Sequence, residues 1–338
     1  MRMVSCTVSS SADFAFQSGP KAGFGCSKWV LGAIAGAWLS CMPAVASAED
    51  LCGPPSEATD PQPLHINGSK PFVYKTIGNT DLRLHVFSSA AHKPGDRSPA
   101  VVFFFGGGWL FGDIRRYQTQ ATHLALRGLV TVLVDYRVKC RHGSTILDSI
   151  SDGKSAMRWV RGHADEFGID PSRIAAVGSS SGGTIAAATA LVTELDDPND
   201  DKKINPRPDA LILYNPALAM TPIVVYNLTT KFGKAVADQA HDVFPIDHLD
   251  RGLPRTIIFA GTADKGISPA TQNDFCKRAR ALKAQCEVVL YPGAPHGFTE
   301  VWLGLEDPAN FPKTEYWAAD TSRRTDAFLT KLGWLPAR

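Results

Sequence analysis

The stretch Gly178-Ser179-Ser180-Ser181-Gly182 constrains the fold of this chain more than any other. It follows the run Arg173–Val177, which reads as a strand, and precedes the alanine-rich stretch Thr184–Leu195, which reads as a helix. A strand must therefore turn abruptly into a helix, and a turn that sharp brings backbones together where only residues without side chains fit. Of the three serines, Ser180 alone has glycine at both −2 and +2, which marks it as a candidate nucleophile. The competing reading, a serine-rich loop capping a helix, explains the serines but not the glycines on both sides.

Around this turn the pattern alternates. Phe72–Ile77 and Leu82–Phe87 read as two strands joined at Gly78-Asn79, and Ala100–Phe105 as a strand buried on both faces. Tyr117–Arg127 and Ile146–Phe167 have helical patterns on either side of and after the β-branched run Val130–Asp135. Further strands fit Leu211–Tyr214, Thr256–Ala260 and Glu287–Tyr291, with helices at about 270–283 and over Ala318–Lys331. This order predicts an α/β fold: a mostly parallel sheet with helices on both faces and an antiparallel edge from the hairpin. Ligands bind such sheets at the C-terminal ends of the strands. Residues 216–250 show neither a strand nor a strong period and are expected to form a short cap over that edge.

Three more segments fall at that edge. Phe105-Gly106-Gly107-Gly108-Trp109 ends a buried strand, and its glycines let main-chain N–H groups approach a substrate oxygen closely. A phosphate-binding loop is disfavoured, since neither G-x-G-x-x-G nor a G-K-[ST] ending is present. Gly261-Thr262-Ala263-Asp264 follows one strand and Pro295-His296-Gly297-Phe298 follows the next. A serine hydroxyl needs a base to attack at neutral pH, and an imidazole needs a carboxylate to fix its tautomer. Ser180, Asp264 and His296 supply these groups in the order in which a strand-by-strand reading brings them to one edge.

Composition and termini set the context. The formal charge of +2 points to no nucleic-acid partner and no polybasic membrane anchor. Lys21 and Lys28 precede an apolar run from Trp29, and Ala46-Ser47-Ala48 follows it, so residues 1–48 read as a cleaved signal peptide. As a membrane span the run is broken by Ser40 and Pro43 and falls short of the roughly 20 residues required. The expected location is secreted or periplasmic, with no membrane contact after cleavage. Residues 49–70 read as a linker or N-terminal arm and 71–338 as the catalytic domain. Cys52, Cys140, Cys276 and Cys286 then remain, an even number that permits two disulfides in an oxidising compartment. Cys276 with Cys286 is the first choice, joining a helix end to the next strand; buried free thiols are the alternative.

Together these residues resemble the α/β-hydrolases of the hormone-sensitive-lipase-like group, especially secreted bacterial esterases acting on acetyl and related esters. The likeness runs from about Phe72 to Trp334 and includes Gly106–Trp109, Asp135-Tyr136-Arg137, Trp159-Val160-Arg161 and Pro295–Phe298. The resemblance implies the α/β-hydrolase fold, Ser180 as nucleophile, Asp264 as orienting acid and His296 as base. It further implies an oxyanion hole from the N–H groups of Gly107, Gly108 and Ser181, with no cofactor or metal and a small-molecule or glycan ester as substrate. Two positions depart from the group: Phe105 stands where His is usual, and Ser181 where Ala is common. The first requires a different support for the loop; the second is expected to matter little, because its N–H is unchanged. A serine peptidase or amidase of the same fold and a non-catalytic binding protein are the alternatives.

Weaker motifs have simpler readings. Ser151-Asp152-Gly153-Lys154 matches S-x-x-K without the S-D-N or K-T-G context of a β-lactamase. His241-Asp242 and Asp247-His248 are expected to be a solvated loop rather than metal ligands. The sequons at Asn67 and Asn227 are taken as chance.

Overall fold

The computed structural model describes Cys52 and residues 62–250, 252–299 and 311–337. The proposed signal segment 1–48, and residues 49–51 and 53–61 of the arm, lie outside the described residues. Among the described residues one eight-stranded sheet runs in the order β1-β2-β4-β3-β5-β6-β7-β8. The strands are β1 (Lys70–Ile77), β2 (Thr80–Phe87), β3 (Ser98–Phe104), β4 (Val130–Val134), β5 (Ile169–Ser179), β6 (Ala210–Tyr214), β7 (Arg255–Gly261) and β8 (Cys286–Tyr291). β1 and β2 form the expected antiparallel edge, β2 pairs antiparallel with β4, and β3 through β8 pair in parallel.

The central strands are covered on both faces. Every residue of β4 and β6 is buried, as the unbroken runs of apolar residues require when neither face meets water. The helices are α1 (Gln118–Leu126), α2 (Lys139–His142), α3 (Ile146–Gly162), α4 (Ser180–Leu191), α5 (Pro222–Phe232), α6 (Lys234–His241), α7 (Pro269–Ala281) and α8 (Phe311–Lys331). α4 is apolar on all sides and buried from Ser181 to its end, which suits a helix enclosed by the sheet and its neighbours. Gly153 of α3 allows this enclosure, since a Cβ there would stand 2.4 Å from the Ile185 side chain of α4.

Lys154 closes the far end of α4. Its ammonium donates to the carbonyls of Val192, Thr193 and Glu194 and pairs with Asp196 at 2.6 Å. These carbonyls belong to the segment that leaves α4 after Leu191, where a cation also sits favourably at the negative end of the helix dipole. The S-x-x-K match is thus a helix clamp.

Element edges differ from the sequence reading for local reasons. α4 begins at Ser180 and not Thr184, because the glycines that permit the sharp turn also belong to the first helical turn. β5 begins at Ile169, since the turn-forming Asp170-Pro171-Ser172 is carried within the strand. The segment 216–250 contains α5, α6 and a 3-10 turn at Pro245–His248 between β6 and β7. α5 escapes periodicity because Ile223, Val225 and Tyr226 are exposed while only Val224 and Leu228 are buried. Both permitted disulfides form: Cys276–Cys286 spans ten residues, and Cys52–Cys140 ties the arm to α2 across 88.

Candidate active site

Ser180 is placed by a backbone that few residues tolerate. It directly follows β5, starts α4 and has φ +50°, a left-handed conformation unfavourable for a side chain yet suited to lifting Oγ out of the turn. A Cβ on Gly178 would lie 2.2 Å from the Gly182 carbonyl oxygen, and one on Gly182 2.2 Å from those of Phe104 and Phe105. Both glycines of the motif are therefore steric necessities.

Asp264 and His296 are brought together by two loops that share main-chain hydrogen bonds. After β7, Thr262 N–H donates to Tyr291 O at 3.0 Å and Ala263 N–H to Ala294 O at 3.0 Å. Asp264 Oδ1 accepts from the N–H groups of Gly266 at 2.9 Å and Ile267 at 2.7 Å, which fixes the carboxylate and leaves Oδ2 for His296. His296 Nδ1 lies 2.7 Å from Asp264 Oδ2, and Nε2 lies 3.0 Å from Ser180 Oγ. A carboxylate only accepts, so Nδ1 carries the proton and Nε2 is left to accept from the serine hydroxyl. The Asp264 side chain is 1% exposed and that of His296 36%, so the acid is sealed while the base faces the cleft.

The glycine loop is held differently. Gly107 has φ +143° and Gly108 φ +63°, and a Cβ on Gly107 would meet the Phe111 carbonyl oxygen at 1.9 Å. The loop support that the sequence left open is an aromatic and cationic stack. Phe105 lies against Tyr136 with ring centroids 4.1 Å apart, and the Arg141 guanidinium lies 5.7 Å from the Phe105 centroid. Gly112 gives the ring room, since a Cβ there would stand 2.3 Å from it. Arg141 also donates to Gly112 O and to Asp135 Oδ1, each at 2.8 Å. Burial pushes the Asp135 carboxyl up to about 6 against the opposing pull of Arg141. On the outer side, the N–H groups of Lys139 and Cys140 in α2 donate to Trp109 O and Leu110 O, each at 2.9 Å.

Ser181 corrects the expectation that its side chain would matter little. Its Oγ accepts the N–H of Gly108 at 3.0 Å, while the buried hydroxyl of Tyr136 donates to Phe105 O at the other end of the same loop. Two separate hydrogen bonds thus brace the glycine loop, one at Gly108 and one at Phe105. Burial raises the Tyr136 pKa far above its usual value, so the phenol stays protonated and keeps donating.

Gly107, Gly108, Ser180 and His296 border a cleft of about 390 Å³, with Trp109, Val224 and Ile267 among its apolar walls. Arg116, Asn227 and Lys231 are its other polar residues. The structure thus brings together all the residues singled out in sequence: the triad at hydrogen-bond distance, Gly107 and Gly108 on the cleft, and Ser181 in the first turn of α4, where N–H groups have no partner inside the helix. The Asn227 sequon faces this cleft, while Asn67 is exposed. His248 Nε2 lies 2.6 Å from the Asp242 carbonyl, and among the described residues no group of His, Cys, Asp and Glu could hold a metal ion. Sequence reasoning missed Tyr136 and Arg141 as loop supports and Lys231 as a cleft residue. Only Asp135-Tyr136-Arg137 carried any signal, as part of a resemblance.

The fold and this site define an α/β-hydrolase, and residues 101–300 match the family described as alpha/beta hydrolase fold. The chain belongs to that family. It is similar to esterase LipC of Mycobacterium tuberculosis, with 30% identity over 223 residues, 61% of this chain and 54% of LipC. The chain spans about half the length of the curated relatives it matches over most of its own length. Among solved structures it is similar to the apo form of esterase 2 from Thermogutta terrifontis, with 36% identity and a TM-score of 0.72 over 81% of this chain and 98% of that one. Forms of esterase 2 with propionate bound and with butyrate bound match at TM-scores of 0.70 and 0.71, and one phosphorylated by paraoxon at 0.68.

Proposed function

We propose that this chain is an exported serine esterase that hydrolyses short-acyl carboxylic esters through an acyl-enzyme on Ser180. The observation that carries this reading is the relay from Asp264 through His296 to Ser180, at 2.7 and 3.0 Å, opening on a cleft. Ser180 Oγ attacks the ester carbonyl carbon as His296 Nε2 takes its proton, and the carbonyl oxygen becomes an oxyanion. The N–H groups of Gly107, Gly108 and Ser181 stabilise that charge, with Gly108 sharing its hydrogen between Ser181 Oγ and the oxyanion. His296 returns the proton to the departing alcohol, and water then releases the acid by the same route in reverse.

A short acyl group is supported by the modest cleft volume and by the propionate and butyrate held by esterase 2. Export is supported by the N-terminal segment and by two disulfides, which persist in oxidising compartments. An acetyl group on a plant polysaccharide is the natural substrate we propose. The test is hydrolysis of p-nitrophenyl acetate, butyrate and octanoate beside a matched p-nitroanilide. Turnover that falls with acyl length, with the anilide slower than its ester, is expected; a preference for the anilide would favour a peptidase or amidase instead.

A further inference from the structure

Lys154 and Lys75 are nearly sealed from solvent, and each has a carboxylate partner. Lys154 pairs with Asp196, and Lys75 reaches both Asp152 and Asp197. Lys231, half-buried on α5, has no carboxylate or carbonyl partner for its ammonium group among the described residues, and burial alone lowers its pKa. A desolvated ammonium without a partner is unfavourable unless an anion completes it.

Its position says where that anion would lie. Val224, Asn227 and Lys231 follow one another at three and four residues along α5, so they share a face, and that face lines the cleft. A Cβ on Gly108 would stand 3.2 Å from Lys231 Nζ, so the ammonium group hangs over the oxyanion loop. Among the described residues that line the cleft, none is an aspartate or glutamate. A cleft with charge of one sign and apolar walls concentrates ligands of the other sign.

We propose that Lys231 binds an anionic group of the substrate, so that the ester cleaved here carries a carboxylate or similar anion close to the scissile bond. This rests on the esterase reading and sharpens it: an acetylated glycan bearing uronic acid carboxylates fits the site better than a neutral one. Asn227, one turn before Lys231 on the same face, is placed to donate a second hydrogen bond to that anion.

The test compares two matched pairs of esters. In one the charge is on the alcohol side, para-acetoxybenzoate against para-acetoxybenzamide; in the other it is on the acyl side, the mono-p-nitrophenyl ester of adipic acid against p-nitrophenyl hexanoate. In at least one pair the anionic member is expected to have a kcat/KM about tenfold higher, the size of one charge-assisted hydrogen bond. Lys231→Met should collapse that ratio towards one, and Lys231→Arg should keep most of it. A ratio near one in both pairs, or a ratio that survives Lys231→Met, overturns the assignment. So does an equal loss on both members in Lys231→Met, which would make the lysine an oxyanion stabiliser. Absence of turnover on all four esters contradicts the esterase reading itself.

Discussion

On one wall of the cleft, Ser180, Asp264 and His296 leave the ends of β5, β7 and β8, and their loops are joined mainly through the backbone. On the other wall, Gly106–Gly108 owe their position to side chains from elsewhere: Tyr136 and Arg141 after β4, and Ser181 in α4. The first wall depends on where the chain turns and how closely backbones approach. The second depends on which side chains happen to meet. The two walls should therefore respond to substitution in different ways, one in folding and the other mainly in rate.

The sharpest expected break is on the triad wall. Gly182→Ala forces a methyl group to within 2.2 Å of two carbonyl oxygens, which can only be relieved by moving β3 or α4. A loss of about 3 kcal/mol or more is expected in urea unfolding, at the upper end for overpacked cores. Wild-type stability would show that the close approach is not what the glycine is for.

A smaller effect is expected on the oxyanion wall. Tyr136→Phe removes the donor to Phe105 O and leaves a buried carbonyl without its partner, a cost of about 1–3 kcal/mol. The fold has other supports here, so kcat is expected to drop about tenfold, less than the roughly 10²–10³ that outright loss of an oxyanion donor costs. Ser181→Ala removes the acceptor of Gly108 N–H and should lower kcat several-fold, with KM little changed. An increase in kcat for Ser181→Ala would mean that the hydroxyl competes with the oxyanion for Gly108 N–H rather than bracing the loop.

The same division explains what the sequence made legible. The triad could be read because backbone geometry leaves a local mark: glycines at −2 and +2 of Ser180, and Asp264 and His296 just past apolar runs. The mostly parallel sheet with its antiparallel edge followed from the alternation of strands and helices, and the Cys276–Cys286 bridge from a short helix-to-strand connection. The glycines of the oxyanion loop were equally local. Their bracing was not, since Tyr136 lies 31 residues from Phe105 and Ser181 lies 73 from Gly108, and neither pair has a spacing that predicts contact. α5 was hidden because its exposed Ile223, Val225 and Tyr226 erase the helical period, and Lys231 was hidden with it.

The central claim is that Ser180 is the nucleophile, and covalent labelling tests it most directly. The protein would be treated with a fluorophosphonate, with the adduct mapped by peptide mass spectrometry and ester turnover followed in parallel, beside Ser180→Ala. The account predicts one adduct per chain, on Ser180, abolished together with turnover in a variant that remains folded; a loss on the order of 10⁴ or more in kcat is expected. An adduct on another residue, or turnover that persists in Ser180→Ala, would contradict it.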